Sequence, residues 1–186
     1  MNYFQSKPGT FRTYILQPAN LFLNKWRAGL TLLCLLSCVS PASAMTLKEL
    51  RTDTHLTPAA LLRRFAPFKF KLSDEVQSPA NFLTSETGDC DDFATLAADV
   101  LQEKGYATHL IAVFMEKQVH VVCYVTEAKA YLDYNNRRQP SPLVPTNGAL
   151  ADIAAKVAQS FHTSWRCVSE YTLQNGLQHT IRTDFQ

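Results

Sequence analysis

Glycine, charge and long apolar runs are all in short supply in this chain of 186 residues. Six glycines and 18% charged residues exclude collagen-like, coiled-coil and disordered sequences. The apolar run at residues 28–39 has 12 residues, whereas a helix needs about 20 to span a bilayer. Five cysteines are too few for a disulfide-dense scaffold. The remaining composition, 46% hydrophobic and 11% aromatic, is typical of a globular protein.

Acidic residues are absent from the first 44 positions, which contain Lys7, Arg12, Lys25 and Arg27. Removing these four cations leaves 14 basic and 16 acidic residues, so residues 45–186 carry a net charge of −2. The formal charge of +2 for the whole chain therefore reflects its amino-terminal segment. We expect no nucleic-acid partner, because such partners call for a basic domain.

The acid-free segment has the three parts of a secretory signal. The basic residues at 25–27 precede the apolar run, and an Ala-x-Ala pattern at residues 42–44 follows it. We predict a signal peptide over residues 1–44 and one domain over residues 45–186, exported to the periplasm or secreted. An uncleaved membrane anchor is the alternative, and membrane contact is expected only in that case.

Apolar periodicity and turn residues predict a mixed α+β fold with an antiparallel sheet. Prolines at positions 58 and 79 begin two short helices, and a third helix runs from about Asp89 to Lys104 with Phe93, Leu96, Ala97, Val100 and Leu101 on its buried face. The other predicted elements are strands at 106–115, 119–125 and 131–135, a loop at 137–148, a helix at 150–161, and strands at 165–173 and 177–185 around Asn175-Gly176.

Three residues with acyl-transfer chemistry fall on successive elements of this prediction. Cys90 lies in the first turn of a helix, where backbone N–H groups favour a thiolate. His120 lies within a strand and Asp133 within the next one. A two-residue turn at residues 126–127 would place His120 directly opposite Asp133, whereas a turn at residues 128–129 would separate them by two rungs. A thiolate nucleophile, an imidazole base and an orienting carboxylate form such a site.

The stretch from Gly88 to Ala94, with His120 and Asp133 after it, resembles the bacterial transglutaminase-like cysteine peptidase group of the papain-like superfamily. The resemblance covers roughly residues 78–136. It implies a papain-like/transglutaminase-like core with the nucleophile helix packed on the sheet, and it implies Cys90 as nucleophile, His120 as base and Asp133 as orienting acid. A protein or peptide substrate follows, with hydrolysis as the first expected reaction and transamidation as the second. Asn81 and Gln77 are the candidates for the second oxyanion donor.

In one exported subgroup of that family, acids beside the cysteine bind calcium, and Asp89, Asp91 and Asp92 occupy comparable positions. Helix capping by itself explains Asp89 and Asp92, so our first expectation is that there is no metal or other cofactor, with calcium the alternative. His109, His162 and His179 share no ligand spacing, which argues against zinc.

Some of these assignments have simpler structural alternatives. The domain could be a catalytically inactive transglutaminase-like binding module. Arg137 and Arg138 could attract an acidic substrate, although a solvated strand end is the simpler explanation.

An odd count of three cysteines after residue 44 suggests one pair in an oxidising compartment. We expect Cys123 and Cys167 to be bonded to each other or both buried, which leaves Cys90 as the reactive thiol.

Overall fold

The computed structural model describes residues 45–174 and 177–186. The predicted signal peptide and the predicted Asn175-Gly176 turn lie outside the described residues. Within them the helices are α1 (Leu47–Thr52), α2 (Pro58–Arg64), α3 (Pro79–Ser85), α4 (Cys90–Glu103) and α5 (Leu150–Ser160). The strands are β1 (Lys69–Phe70), β2 (Thr87–Gly88), β3 (Thr108–Met115), β4 (Val119–Val125), β5 (Ala130–Leu132), β6 (Leu143–Pro145), β7 (Trp165–Gln174) and β8 (Leu177–Phe185).

Six of the strands form one sheet in the order β6-β5-β4-β3-β7-β8. Every neighbouring pair in it is antiparallel, which confirms the α+β prediction. One buried cluster lies on the α4 side of the sheet and includes Leu96, Leu110 and Cys123. A second cluster lies on the α5 side and includes Val113 and Ile153. The sheet is therefore covered by a helix on each face.

Helix α4 is the most buried helix, as its periodicity predicts. Its side chains at the five predicted core positions are all 0% exposed; they are Phe93, Leu96, Ala97, Val100 and Leu101. Gly105, with φ +85, follows the helix in the left-handed conformation that glycine adopts at little cost. Full burial along one helix face fixes α4 on the sheet and with it the position of its first residue, Cys90.

The predicted register of the β4–β5 hairpin is wrong: each residue of β4 pairs with a residue two positions further along the chain than predicted. The observed pairs are Cys123/Leu132, Tyr124/Tyr131 and Val125/Ala130, so four residues, 126–129, connect the strands rather than two. Val122 would fall opposite Asp133 in this register, and His120 lies diagonal to it. Both side chains stay on one face because strand side chains alternate with a period of two.

The remaining differences concern short elements. Strand β5 ends at Leu132 and a 3-10 turn follows at Tyr134–Asn136, where the sequence predicts a strand as far as residue 135. The predicted loop at 137–148 contains β6, an edge strand that tolerates one proline before it and one as its last residue, because it needs few ladder hydrogen bonds. Helix α1 and the small β1–β2 pair were not predicted. In residues 45–174 and 177–186, no helix combines the length and apolarity that crossing a membrane requires.

Candidate active site

Cys90 is the first residue of α4, and only the N-cap residue Asp89 separates it from the two-residue strand β2. Gly88 allows this tight entry, since a Cβ atom there would overlap Asp92 Oδ2 and lie 2.6 Å from the Phe82 ring. The first N–H groups of a helix have no intrahelical acceptor and form its positive end. Negative charge on the Cys90 sulfur is favoured at this position.

His120 and Asp133 form a buried pair. Nε2 of His120 lies 2.9 Å from Oδ1 of Asp133, and the two residues are 4% and 2% exposed. The same Oδ1 accepts a hydrogen bond from the backbone N–H of Asn135 at 2.8 Å, which anchors the carboxylate on the 3-10 turn. The diagonal register therefore still brings imidazole and carboxylate into contact.

The pKa of His120 reflects three competing influences. Burial would lower it, but the hydrogen bond to Asp133 and a further interaction with the Cys90 side chain raise it to about 10. The imidazole is therefore cationic at neutral pH. Since Nε2 is engaged by Asp133, Nδ1 is the nitrogen left to face the thiol. The structure thus brings together all three residues that the sequence singled out.

One aromatic ring packs on the imidazole, and the nearby thiol of Cys123 lies on the other face of the sheet. The Phe161 ring packs against that of His120 with centroids 4.9 Å apart. Cys123 packs in the cluster on the α4 side of the sheet and is fully buried, where burial raises the pKa of its thiol to about 12. It does not compete with Cys90, as its strand position predicts.

The three acids around Cys90 form a compact cluster in which one oxygen from each lies within 4.8 Å of the others. Asp92 is fully hydrogen-bonded: it accepts from the backbone N–H of Gln77 at 2.6 Å, from Gln77 Nε2 at 2.8 Å and from the backbone N–H of Asp89 at 3.1 Å. Asp89 accepts from the backbone N–H of Ser73 at 2.9 Å. Among the described residues, Oδ1 of Asp89 and Oδ1 of Asp91 are buried without a hydrogen-bond partner. Capping explains Asp92 but leaves these two oxygens unexplained.

The crowding of three carboxylates changes the pKa of Asp91. Burial, followed by the interaction with the neighbouring Asp89 carboxylate and repulsion from Asp92, raises the pKa of Asp91 to about 7. The sequence could not reveal the partners Ser73 and Gln77, because they lie on a loop 15 or more residues before the acids they bind.

Neither predicted oxyanion donor points clearly to that role. Nε2 of Gln77 donates to the Thr87 carbonyl at 3.0 Å as well as to Asp92, so its amide is occupied as a structural tie. Asn81 is exposed on α3, and its backbone N–H donates to the Ser78 hydroxyl that caps this helix.

Both alternatives predicted for Arg137, attraction of an acidic substrate and a solvated strand end, are wrong. Arg137 is only 8% exposed. Its guanidinium donates to the Phe68 and Tyr134 carbonyls and stacks 4.0 Å from the Tyr134 ring. Arg138 donates to the Ala66 carbonyl at 2.7 Å. Both arginines bind backbone carbonyls of the turn after α2 and so brace the 3-10 turn that follows Asp133.

The cysteine expectation is also partly wrong. Cys90, Cys123 and Cys167, the three cysteines in the described part of the chain, are all free thiols. Cys123 is buried, but Cys167 is partly exposed, so neither the disulfide nor joint burial holds. Cys167 lies on β7 opposite Phe185 of the edge strand β8, and its side chain belongs to neither of the two buried clusters.

Comparison with known families agrees with this arrangement. A family model described as "Transglutaminase-like domain" matches residues 37–140, which is more than half of the chain. The chain belongs to the transglutaminase-like domain family. This family match contains all three site residues and confirms the resemblance found in the sequence.

Six chains of solved structures match this transglutaminase-like protein. One is an EGTA-treated LapG from Legionella pneumophila, with a TM-score of 0.44 and 16% sequence identity over 73% of this chain and 76% of that chain. No curated protein gives a match.

Proposed function

We propose that this protein is an exported thiol-dependent acyl-transfer enzyme that acts on amide bonds, first as a cysteine peptidase or amidase and second by transamidation. The observation that carries the proposal is the His120 imidazole, which is buried, cationic and held between Asp133 and the Cys90 thiol at a helix N-terminus. Asp133 stabilises the imidazolium, and the imidazolium favours negative charge on the Cys90 sulfur.

In the proposed reaction the Cys90 sulfur attacks the carbonyl carbon of the substrate amide. The backbone N–H of Cys90 lacks an intrahelical acceptor, so it is the natural donor to the developing oxyanion. The His120 imidazolium gives its proton to the leaving amine, which departs as the thioester forms. Water, or a second amine for transamidation, then attacks the thioester with neutral His120 as its base.

Asp133 has the orienting role in this scheme. Its hydrogen bond to Nε2 directs Nδ1 toward the sulfur, and its negative charge stabilises the imidazolium. Because Asp133 is itself anchored to the backbone N–H of Asn135, the carboxylate cannot follow the ring if the ring rotates. A protein or peptide is the proposed substrate, because its amide bonds are open to attack by this thiol without the help of a cofactor.

Labelling of the thiol tests the proposal against an inactive binding domain. Wild-type protein is treated with iodoacetamide at pH 7, and the rate of Cys90 modification is followed by intact mass. We expect modification well above the rate of a free thiol, abolished in Cys90→Ser and slowed at least ten-fold in His120→Ala. Cys167→Ser is the matched control, since Cys167 is partly exposed and lies two strands from His120 on the opposite face of the sheet. Modification of Cys90 at the free-thiol rate would favour the binding domain.

We also propose that the acidic cluster binds a divalent cation, calcium by preference. Calcium takes about six to eight oxygen ligands, and two buried carboxylate oxygens without partners, Asp89 Oδ1 and Asp91 Oδ1, are suited to it. Asp92 would hold the loop through Gln77 rather than bind the ion, because both of its oxygens already accept hydrogen bonds.

Thermal unfolding with and without calcium tests the cation proposal. A ligand that binds only the folded state raises the melting temperature in proportion to the logarithm of its concentration. We expect calcium to raise the melting temperature of the wild type but not of Asp91→Asn, while the exposed-site control Asp99→Asn responds like the wild type. An unchanged melting temperature at millimolar calcium would contradict the proposal and leave the thiol chemistry untouched.

Export of the domain is the third part of the proposal. It rests on the basic residues, the apolar run and the Ala-x-Ala pattern of the first 44 residues. The cleaved product would begin at Met45, one residue before the Thr46 hydroxyl that caps α1.

A further inference from the structure

The imidazole of His120 has a neighbour that belongs neither to the helix of Cys90 nor to the strand of Asp133. Phe161 is the C-cap residue that follows α5, and its ring meets the His120 ring at 65° with the centroids 4.9 Å apart. Edge-to-face packing at about 4.5–7 Å is the favourable geometry for aromatic rings. Phe161 is partly buried and packs against the cluster on the α5 side of the sheet, so its own position is fixed.

The hydrogen bond to Asp133 does not by itself define the plane of the imidazole. The terminal torsion of histidine is broad, and a single bond at Nε2 still allows the ring to turn about that contact. A second contact on the ring removes this freedom. Phe161 is the aromatic group among the described residues that packs on His120.

Phe161 also separates the imidazole from solvent. It lines a cavity of about 360 Å³ together with the β3–β4 turn at residues 115–118 and the next two residues, His162 and Thr163. The same residue thus lines an open cavity and packs on an imidazole whose hydrogen bond is strengthened by exclusion of water. A smaller side chain at this position would join the cavity to the His120–Asp133 pair.

We infer that Phe161 is a positioning residue: it fixes the ring plane of His120, so that Nδ1 faces Cys90 while Nε2 stays on Asp133, and it excludes water from the His120–Asp133 hydrogen bond. Its consequence for reactivity rests on the proposed function, whereas its effect on the imidazole does not. Phe161 touches no reacting atom and acts through His120.

Two measurements on full-length protein test the inference. The first is the exchange rate of the His120 ring proton on Nε2 with water, read by NMR. The second is the rate of Cys90 alkylation by iodoacetamide between pH 6 and 9. The variants are Phe161→Leu and the conservative Phe161→Tyr. Tyr124→Leu is the matched control, because Tyr124 packs on a different histidine, His109, with centroids 5.7 Å apart.

For Phe161→Leu we expect proton exchange at least ten-fold faster, alkylation at pH 7 at least ten-fold slower, and an altered pH profile. Phe161→Tyr should restore both rates to within about two-fold of the wild type, and Tyr124→Leu should leave both unchanged. Unchanged exchange and an unchanged pH profile in Phe161→Leu would overturn the inference, even if the melting temperature fell, since loss of stability alone indicates an ordinary packing role. If wild-type alkylation proves independent of His120, the proposed function fails, and the exchange rate still decides the role of Phe161.

Discussion

Replacing Asp133 by asparagine should change both the stability of the protein and its dependence on pH. Asparagine keeps the size of the side chain and an oxygen for the Asn135 N–H, but it removes the charge that faces His120. Asp133 and Cys90 raise the pKa of His120 to about 10 against the effect of burial. Without the carboxylate, the buried imidazole should be neutral at pH 7.

The sign of the pH effect follows from that raised pKa. A histidine whose pKa is higher in the folded state than its ordinary 6.5 stabilises the fold fully below pH 6.5, and this stability is lost as the pH rises through about 10. The raised pKa of Asp91, about 7, removes stability between about pH 4 and 7 by the same rule. The raised pKa of Cys123, about 12, acts only above its ordinary value of 9.0. The interval from pH 7.5 to 9 therefore isolates His120.

Across that interval the wild type should lose about 2 kcal/mol of unfolding free energy, at about 1.36 kcal/mol per pH unit. Asp133→Asn should be about 3–5 kcal/mol less stable at pH 7.5, the usual cost of breaking a buried ion pair, and its stability should be nearly flat up to pH 9. Urea unfolding at pH 7.5, 8.25 and 9 measures both quantities. Glu170→Gln is the control, because it removes the acid of another pair, with His109, whose imidazole is 34% exposed. A wild-type stability that stays level from pH 7.5 to 9, or an equal slope in Asp133→Asn, would refute the raised pKa of His120.

Three further results are expected. Leu96→Ala, at a fully buried position of α4, should cost about 2–5 kcal/mol in urea unfolding; a loss below about 0.5 kcal/mol would contradict the packing of this face. Gly88→Ala should cost about 1–3 kcal/mol, because its methyl group would overlap Asp92 and Phe82, and an unaltered urea midpoint would show that β2 shifts freely. Mass spectrometry of the exported protein should find Met45 as the first residue, whereas a product that still begins at Met1 would favour the membrane-anchor alternative.

Features set by long periodic burial could be predicted from the sequence. The face of α4 repeats its apolar residues over three turns, and the bounds of β4 are those expected from its uninterrupted run of strand-forming residues. The hairpin register could not be predicted, because residues 126–129 contain no glycine or asparagine to mark a turn. Lys129 takes the left-handed position instead, with φ 47, and a lysine there gives the sequence no recognisable signal.

The error in register left the site intact for a physical reason. Both the predicted and the observed register keep His120 and Asp133 on one face of the sheet, and a diagonal neighbour is still within reach of an imidazole. The 2.9 Å contact therefore depends on face parity, which the sequence does specify, more than on exact pairing, which it does not. Arg137 is the opposite case, because adjacent charged residues are usually solvated at a strand end, and only the Phe68 carbonyl, from a turn about 70 residues earlier, explains its burial.

The acids beside Cys90 show why residue type alone does not assign a role at such a site. Asp89, Asp91 and Asp92 all lie at the start of one helix, where a carboxylate is favoured by the helix dipole. Asp92 uses both oxygens to hold the preceding loop and the helix start, whereas Asp89 and Asp91 each keep a buried oxygen without a partner. Three carboxylates in one small volume repel each other, and the raised pKa of Asp91 is the expression of that repulsion. Their negative charge also opposes a thiolate on the adjacent Cys90, so the charge that favours the thiolate must come chiefly from the helix N-terminus and from His120.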